Sequence, residues 1–326
     1  MKKKEREFLL KIKRANLFLL GLFFFFFPSQ NFYALIPENH NKTSIKEINF
    51  PIPPLFSYPV NQNKELPPKL TARSVVVMDK NSSVVLYSRN ENLWVLPAST
   101  TKIMTALVAL DYYPLEKVLT VGKIEALGQK MDLKEGEKIT VLNLLYGLLV
   151  SSANDAALVL AQNYPGGVPG FVSAMNFKAK QLNLINTYFA NPTGLDSDKE
   201  GKILLDYSYT TALDLARLTS WALNNSLFKK IVSTQKVTVT DISGKIVHPL
   251  YNLNLLLGSE EGVLGVKTGW TEEAGECLVT YVQRDNKEII IVVLGSKDRF
   301  GETKKLINWV FNNFQWVDFT SIFENY

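Results

Sequence analysis

What most restricts the fold of this chain is where its β-rich runs stand: in two pairs, at opposite ends of the sequence. Ser74–Met78 and Ser83–Tyr87 are valine-rich and joined across Asp79-Lys80-Asn81-Ser82, a hairpin signal. Cys277–Val282 and Glu288–Leu294 repeat the arrangement around Arg284-Asp285-Asn286-Lys287. The stretch between them reads as helix. Ser99–Leu110 is apolar nearly all round, the pattern of a helix buried on every side. Thr140–Val150 and Ala153–Gln162 read as two helices meeting at Ser151-Ser152, and Thr211–Asn224 as another. Glu302–Phe314 closes the pattern, with Leu306, Ile307, Trp309, Val310 and Phe314 spaced for one face. Strands at both ends with helices between predict an α/β fold of the α+β type. One antiparallel sheet would form from the N- and C-terminal strands, flanked by helices and carrying a helical insert.

The formal charge of +5 does not mark a nucleic-acid surface. Residues 2–14 carry Lys2, Lys3, Lys4, Arg6, Lys11, Lys13 and Arg14 against Glu5 and Glu7, so the rest of the chain balances. The apolar run Leu17–Phe27 follows this basic stretch, the layout of an export signal. It is short for a spanning helix, which needs ~20 apolar residues. Counting Ala15–Ile36 allows an uncleaved anchor, and Phe32-Tyr33-Ala34 supplies only one of the two small residues a cleavage site favours. Residues 1–36 are therefore read as a signal peptide or N-terminal membrane anchor that places the rest outside the cytoplasm. Residues 37–68 hold seven prolines among Asn, Lys and Glu, and read as an extended tether. The folded domain is expected over 69–316, with a tail at 317–326.

Cys277 is the single cysteine, so no intrachain disulfide forms. With His40 and His248 as the only histidines, a Cys/His zinc site lacks ligands, and no metal or other cofactor is expected. A Ser-His-Asp triad would depend on His248, since His40 lies in the tether. The base of any serine chemistry here is expected to be another residue.

Three short segments carry such chemistry. In Pro97-Ala-Ser-Thr-Thr-Lys102, Ser99 on its own reads as a helix cap. Lys102, three residues on, shares its helix face. Burial would lower the lysine pKa, and a neutral amine can take a hydroxyl proton. In Ser152-Ala153-Asn154, at a helix junction, a hydroxyl could relay a proton and an amide could hold a substrate amide; capping is the plainer alternative. In Gly265-Val-Lys267-Thr268-Gly269, a short strand ends at a glycine that admits close approach. Its edge could pair with an extended peptide. Lys267 would attract a substrate carboxylate and lower the Lys102 pKa further.

Ser-x-x-Lys, Ser-x-Asn and Lys-Thr-Gly in this order form the signature of penicillin-binding proteins and class A β-lactamases. From about Thr71 to Phe314 the chain resembles the D-alanyl-D-alanine carboxypeptidases of the low-molecular-mass penicillin-binding proteins, the S11 serine peptidases. Leu145–Leu149, Asn154-Asp-Ala-Ala157 and Asn191-Pro-Thr-Gly-Leu195 resemble segments of the same family. The resemblance implies a β-lactamase/transpeptidase-like fold with Ser99 as acylated nucleophile and Lys102 as its base. It also implies a second wall of Ser152 and Asn154. Lys267, Thr268, Gly269 and Arg299 would receive the peptide carboxylate, and the backbone N–H groups of Ser99 and Trp270 would form an oxyanion hole. Peptidoglycan stem peptides would be substrates and β-lactams covalent inhibitors.

Two departures stand out. Position 270 is often histidine in the family and is tryptophan here. Many relatives also continue into a β-rich second domain with a C-terminal membrane anchor, whereas this sequence ends at Tyr326; any anchoring would then fall to the N-terminal run. Single-domain relatives include D,D-endopeptidases, the nearest alternative. A β-lactamase would need a Glu-x-x-x-Asn pattern that Asp196, Asp198, Glu200 and Asp206 do not form. A non-enzymatic penicillin-sensing or peptidoglycan-binding domain is the remaining alternative, and the presence of all the catalytic residue types argues against it.

Overall fold

A computed structural model of the chain describes residues 57–196 and 207–317. The proposed leader at 1–36 and most of the tail lie outside the described residues. Along the chain, β1 (Tyr58–Asn61), β2 (Ser74–Asp79) and β3 (Val85–Arg89) lead into a 3₁₀ turn, Ala98–Thr101, and helix α1 (Lys102–Tyr112). Then come β4 (Val118–Thr120), β5 (Lys138–Thr140), α2 (Val141–Val150), α3 (Asn154–Gln162), α4 (Gly167–Gln181), α5 (Ala212–Ala222) and α6 (Ser226–Val232). The chain closes with β6 (Lys236–Thr240), β7 (Val247–Tyr251), β8 (Val263–Thr271), β9 (Gly275–Arg284), β10 (Lys287–Ser296), α7 (Arg299–Asn313) and β11 (Phe314–Val317).

The central sheet has the order β3-β2-β10-β9-β8, all antiparallel. Its central pairing joins the two ends of the sequence: Ser74–Asp79 of β2 lies against Ile289–Leu294 of β10. Side chains alternate between faces. Val76, Met78, Ile290 and Val292 join the large core beneath the helices, while Val75, Val77, Ile291 and Val293 pack with Leu306, Ile307 and Val310 of α7. A sheet covered on both faces explains why these strands are unbroken apolar runs rather than alternating ones. The expected helices form within a few residues of their predicted bounds, and α1 is buried from Lys102 to Ala109.

The tether boundary needs correction. Tyr58–Asn61, inside the predicted 37–68 tether, is a strand paired antiparallel with Phe314–Val317. Extended proline-rich chain and β-strand share nearly the same backbone region, and Pro59 is tolerated in a two-stranded edge pair. The folded part therefore begins before residue 69. Two further corrections are smaller: the closing helix ends at Asn313, and the strand of the Lys-Thr-Gly segment runs through Gly269 to Thr271. Among the described residues no helix is long and apolar enough to cross a membrane.

Candidate active site

Ser99 sits in the tight turn that launches α1. Ala98, immediately before it, has φ +47, a left-handed conformation costly for an L residue. The bend points Ser99 into a cleft of about 470 Å³. Lys102, the first residue of α1, is 0% exposed. Its Nζ lies 3.1 Å from Ser99 Oγ and donates to the Thr193 carbonyl at 2.7 Å. Burial, then the positive charge of Lys267, hold the Lys102 pKa well below its usual 10.5, with Asp155 pulling in the opposite direction. An amine held neutral beside a hydroxyl is a competent general base.

The Asn191–Leu195 turn places the Thr193 carbonyl. Asn191 Oδ1 accepts from the N–H groups of Thr193 and Gly194 and from Thr193 Oγ1, while Asn191 Nδ2 donates to the Leu195 carbonyl. Thr105 of α1 docks the turn by donating to the Pro192 carbonyl at 2.7 Å. Gly194 has φ +82, and any Cβ there would collide with the Ala98 carbonyl. Only glycine lets this turn reach the Ser99 turn so closely.

Ser152 and Asn154 form the opposite wall, where α2 hands over to α3. Ser152 is buried at φ +61. Asn154 donates through Nδ2 to the Leu127 carbonyl at 2.6 Å, and its Oδ1 has no hydrogen-bond partner. An unpaired buried acceptor in a cleft wall is costly unless a ligand supplies a donor.

The third wall is β8, the edge of the sheet. Gly269 lies so near the Ser99 turn that a Cβ would stand 3.1 Å from the Ser99 nitrogen. Lys267 is fully buried and donates to the Thr268 carbonyl at 3.0 Å. Burial, then the Arg299 guanidinium, push its pKa down to about 7. Arg299 opens α7, where Asp298 caps the helix; its Nη1 donates to the Gly269 carbonyl at 2.8 Å and its N–H to Glu276 at 2.9 Å. Trp270 is 62% exposed at the cleft rim.

Every residue singled out in the three motifs, with Arg299, gathers at this cleft or directly beneath it. His248 does not: it is buried against Glu137 and the Met131 carbonyl and lines no part of the cleft. Asp196 lines the cleft but accepts from Thr271 Oγ1 at 2.6 Å, and Asp198, Glu200 and Asp206 lie outside the described residues. Sequence reading missed the Thr193 carbonyl as the lysine's partner and Asp155 as its neighbouring charge. Both lie in segments that resemble the family's, Asn191–Leu195 and Asn154–Ala157, whose residues carry no chemical signal of their own.

The peptidase S11 family, D-alanyl-D-alanine carboxypeptidase, matches residues 61–298. This chain belongs to that family. Among individual members, the family's D-alanyl-D-alanine carboxypeptidase DacF of Bacillus subtilis is 34% identical over 254 residues, 75% of this chain. The chain spans 63% of that relative's length. The D-alanyl-D-alanine endopeptidase of Pseudomonas aeruginosa is 36% identical over 79% of this chain and 81% of its own length. Among solved structures, the Streptomyces K15 DD-transpeptidase superposes with a TM-score of 0.70 at 32% identity, covering 76% of this chain and all of that one. The fold is thus that of the family's DD-peptidases, as the resemblance implied.

Proposed function

We propose that this protein is a serine D-Ala-D-Ala carboxypeptidase that removes the terminal D-alanine of peptidoglycan stem peptides through a Ser99 acyl-enzyme. The observation that carries the reading is the Lys102 amine, wholly buried and 3.1 Å from the Ser99 hydroxyl. Lys102 takes the Ser99 proton as Oγ attacks the carbonyl carbon of the penultimate D-alanine. The N–H groups of Ser99 and Trp270 receive the developing oxyanion. As the C–N bond breaks, Ser152 passes a proton to the departing amine, and D-alanine leaves. Water then attacks the ester and restores Ser99. Thr268 and Arg299, with Lys267 and Gly269 beneath, hold the terminal carboxylate, and Asn154 holds the substrate amide. As the end strand of the sheet, β8 suits an extended peptide laid alongside its edge. β-Lactams would acylate the same serine, and a basic, apolar leader would bring the domain outside the cytoplasm, with membrane attachment if the leader is retained.

A second reading, cleavage of crosslinks as a D,D-endopeptidase, draws on the likeness to the Pseudomonas relative. One experiment separates the two. The full chain is incubated with a fluorescent penicillin, an N-acylated D-Ala-D-Ala peptide and a crosslinked muropeptide dimer. Labelling that disappears in Ser99→Ala, with free D-alanine from the peptide, is the expected result. Monomers from the dimer without free D-alanine from the peptide would favour the endopeptidase, and absence of labelling would overturn both.

A further inference from the structure

We infer that His248 is a positioning residue for this site, acting through the loop that holds Asn154; the inference rests on the acyl-transfer reading above. Residues 121–137 connect β4 to β5 and bring Gly128 and Gln129 to the cleft. Asn154 hangs from this loop by two bonds. Its Nδ2 donates to the Leu127 carbonyl at 2.6 Å, and its backbone N–H to the Gln129 carbonyl at 2.7 Å. The orientation of the Asn154 amide is therefore only as fixed as residues 127–129.

Met131 anchors that stretch in three ways. Its N–H donates to Asp155 Oδ1 at 3.1 Å. Its side chain lies over Gly147 of α2, where a Cβ would strike the methionine sulfur. Its carbonyl faces His248 Nδ1 at 2.7 Å. His248 stands on β7, far from the loop in sequence, and is 4% exposed. Its other nitrogen is 2.7 Å from Glu137 Oε1, and Glu137 Oε2 accepts the Lys134 N–H at 3.0 Å. One imidazole thus ties both residue 131 and residue 137 to the β6–β7 hairpin. A carbonyl oxygen can only accept, so Nδ1 is the donor to Met131.

No other described contact gives a buried histidine on this hairpin a link to the cleft, and neither ring nitrogen is free to meet a substrate. Its effect on the reaction runs through the loop. Removing the imidazole leaves the Met131 carbonyl and Glu137 without their shared partner, which loosens the carbonyls that orient Asn154.

The test is a double-mutant cycle on the full chain, using His248→Ala, Asn154→Ala and the pair, with His248→Asn as the conservative variant. The readouts are kcat/KM for the D-Ala-D-Ala peptide and the acylation rate by fluorescent penicillin, each per penicillin-titratable site. His248→Ala should lose about tenfold or more in kcat/KM, and less than about twofold when Asn154 is already alanine. His248→Asn, which keeps an N–H where Nδ1 stood, should recover most of the loss. A purely structural role would reduce the number of titratable sites, leave the rate per site unchanged and add fully to Asn154→Ala. That result, or wild-type kcat/KM in His248→Ala, overturns the inference. A wild-type chain that penicillin does not label would instead overturn the acyl-transfer reading beneath it.

Discussion

Replacing Gly194 by alanine tests whether the Asn191–Leu195 turn sets the Lys102 amine that the proposed reaction uses as its base. Two costs act at this position. At φ +82 an L side chain in the left-handed region costs roughly 1–2 kcal/mol. The new Cβ also falls on the Ala98 carbonyl, which is backbone and cannot swing aside as a flexible side chain would. Overpacking of this kind adds about 1–3 kcal/mol, for a total of about 2–5 kcal/mol. Gly244, in the β6–β7 turn at φ +71 with nothing within 4 Å of its Cβ position, is the control that carries only the first cost. Gly194→Ala should therefore melt well below Gly244→Ala, at roughly 2–4 °C per kcal/mol for a domain of this size. The collision also pushes the Thr193 carbonyl away from Lys102 Nζ, its 2.7 Å partner. Losing about 1.4–2.8 kcal/mol of that positioning slows acylation about ten- to a hundredfold. Thermal melts and stopped-flow acylation by a fluorescent penicillin read both quantities. Equal melting temperatures for the two variants, or an acylation rate for Gly194→Ala within twofold of wild type, would refute the reasoning.

Two further outcomes concern charge. Asp155 raises the Lys102 pKa against burial and Lys267, so Asp155→Asn should move the acid limb of the acylation rate to lower pH; an unmoved limb or a shift upward would show the sign wrong. Lys267, held at about 7 in the fold against 10.5 when unfolded, binds fewer protons than the unfolded chain between those values. Stability from this group accordingly rises with pH across that window and is lowest below it. Lys267→Met should raise the unfolding free energy at pH 6 by about 1–3 kcal/mol, with the gain fading toward pH 10, while peptide turnover collapses. A variant less stable than wild type at pH 6 in denaturant titrations would refute this.

The parts of the fold that were legible in the sequence are those in which side chains carry the signal. Val75, Val76 and Val77 fill both faces of one strand, and Ser99 lies one turn before Lys102 at the start of a helix buried through Ala109. The Thr193 carbonyl could not be read in this way, because the group that holds the lysine is backbone and its placement depends on a turn distant in sequence. Asp155 stands in the first turn of α3, but its oxygens accept from the N–H groups of Met131 and Leu133, which are distant in sequence. The helix Gly167–Gln181 carries no comparable signal, since Pro169 and Gly170 interrupt its start, although proline is tolerated in a first turn. The strand at Tyr58–Asn61 was hidden by its own proline.

The pairing of β2 with β10 also governs when the cleft can come into being. Ser74 waits for Leu294, so the central ladder cannot form until nearly the whole chain has emerged. Contacts this distant in sequence make folding slow and late. In a chain delivered from its N-terminus, Ser99 and Lys102 come early, long before the β8 edge that completes the cleft. The serine and its lysine therefore have no complete cleft around them until the C-terminal strands arrive.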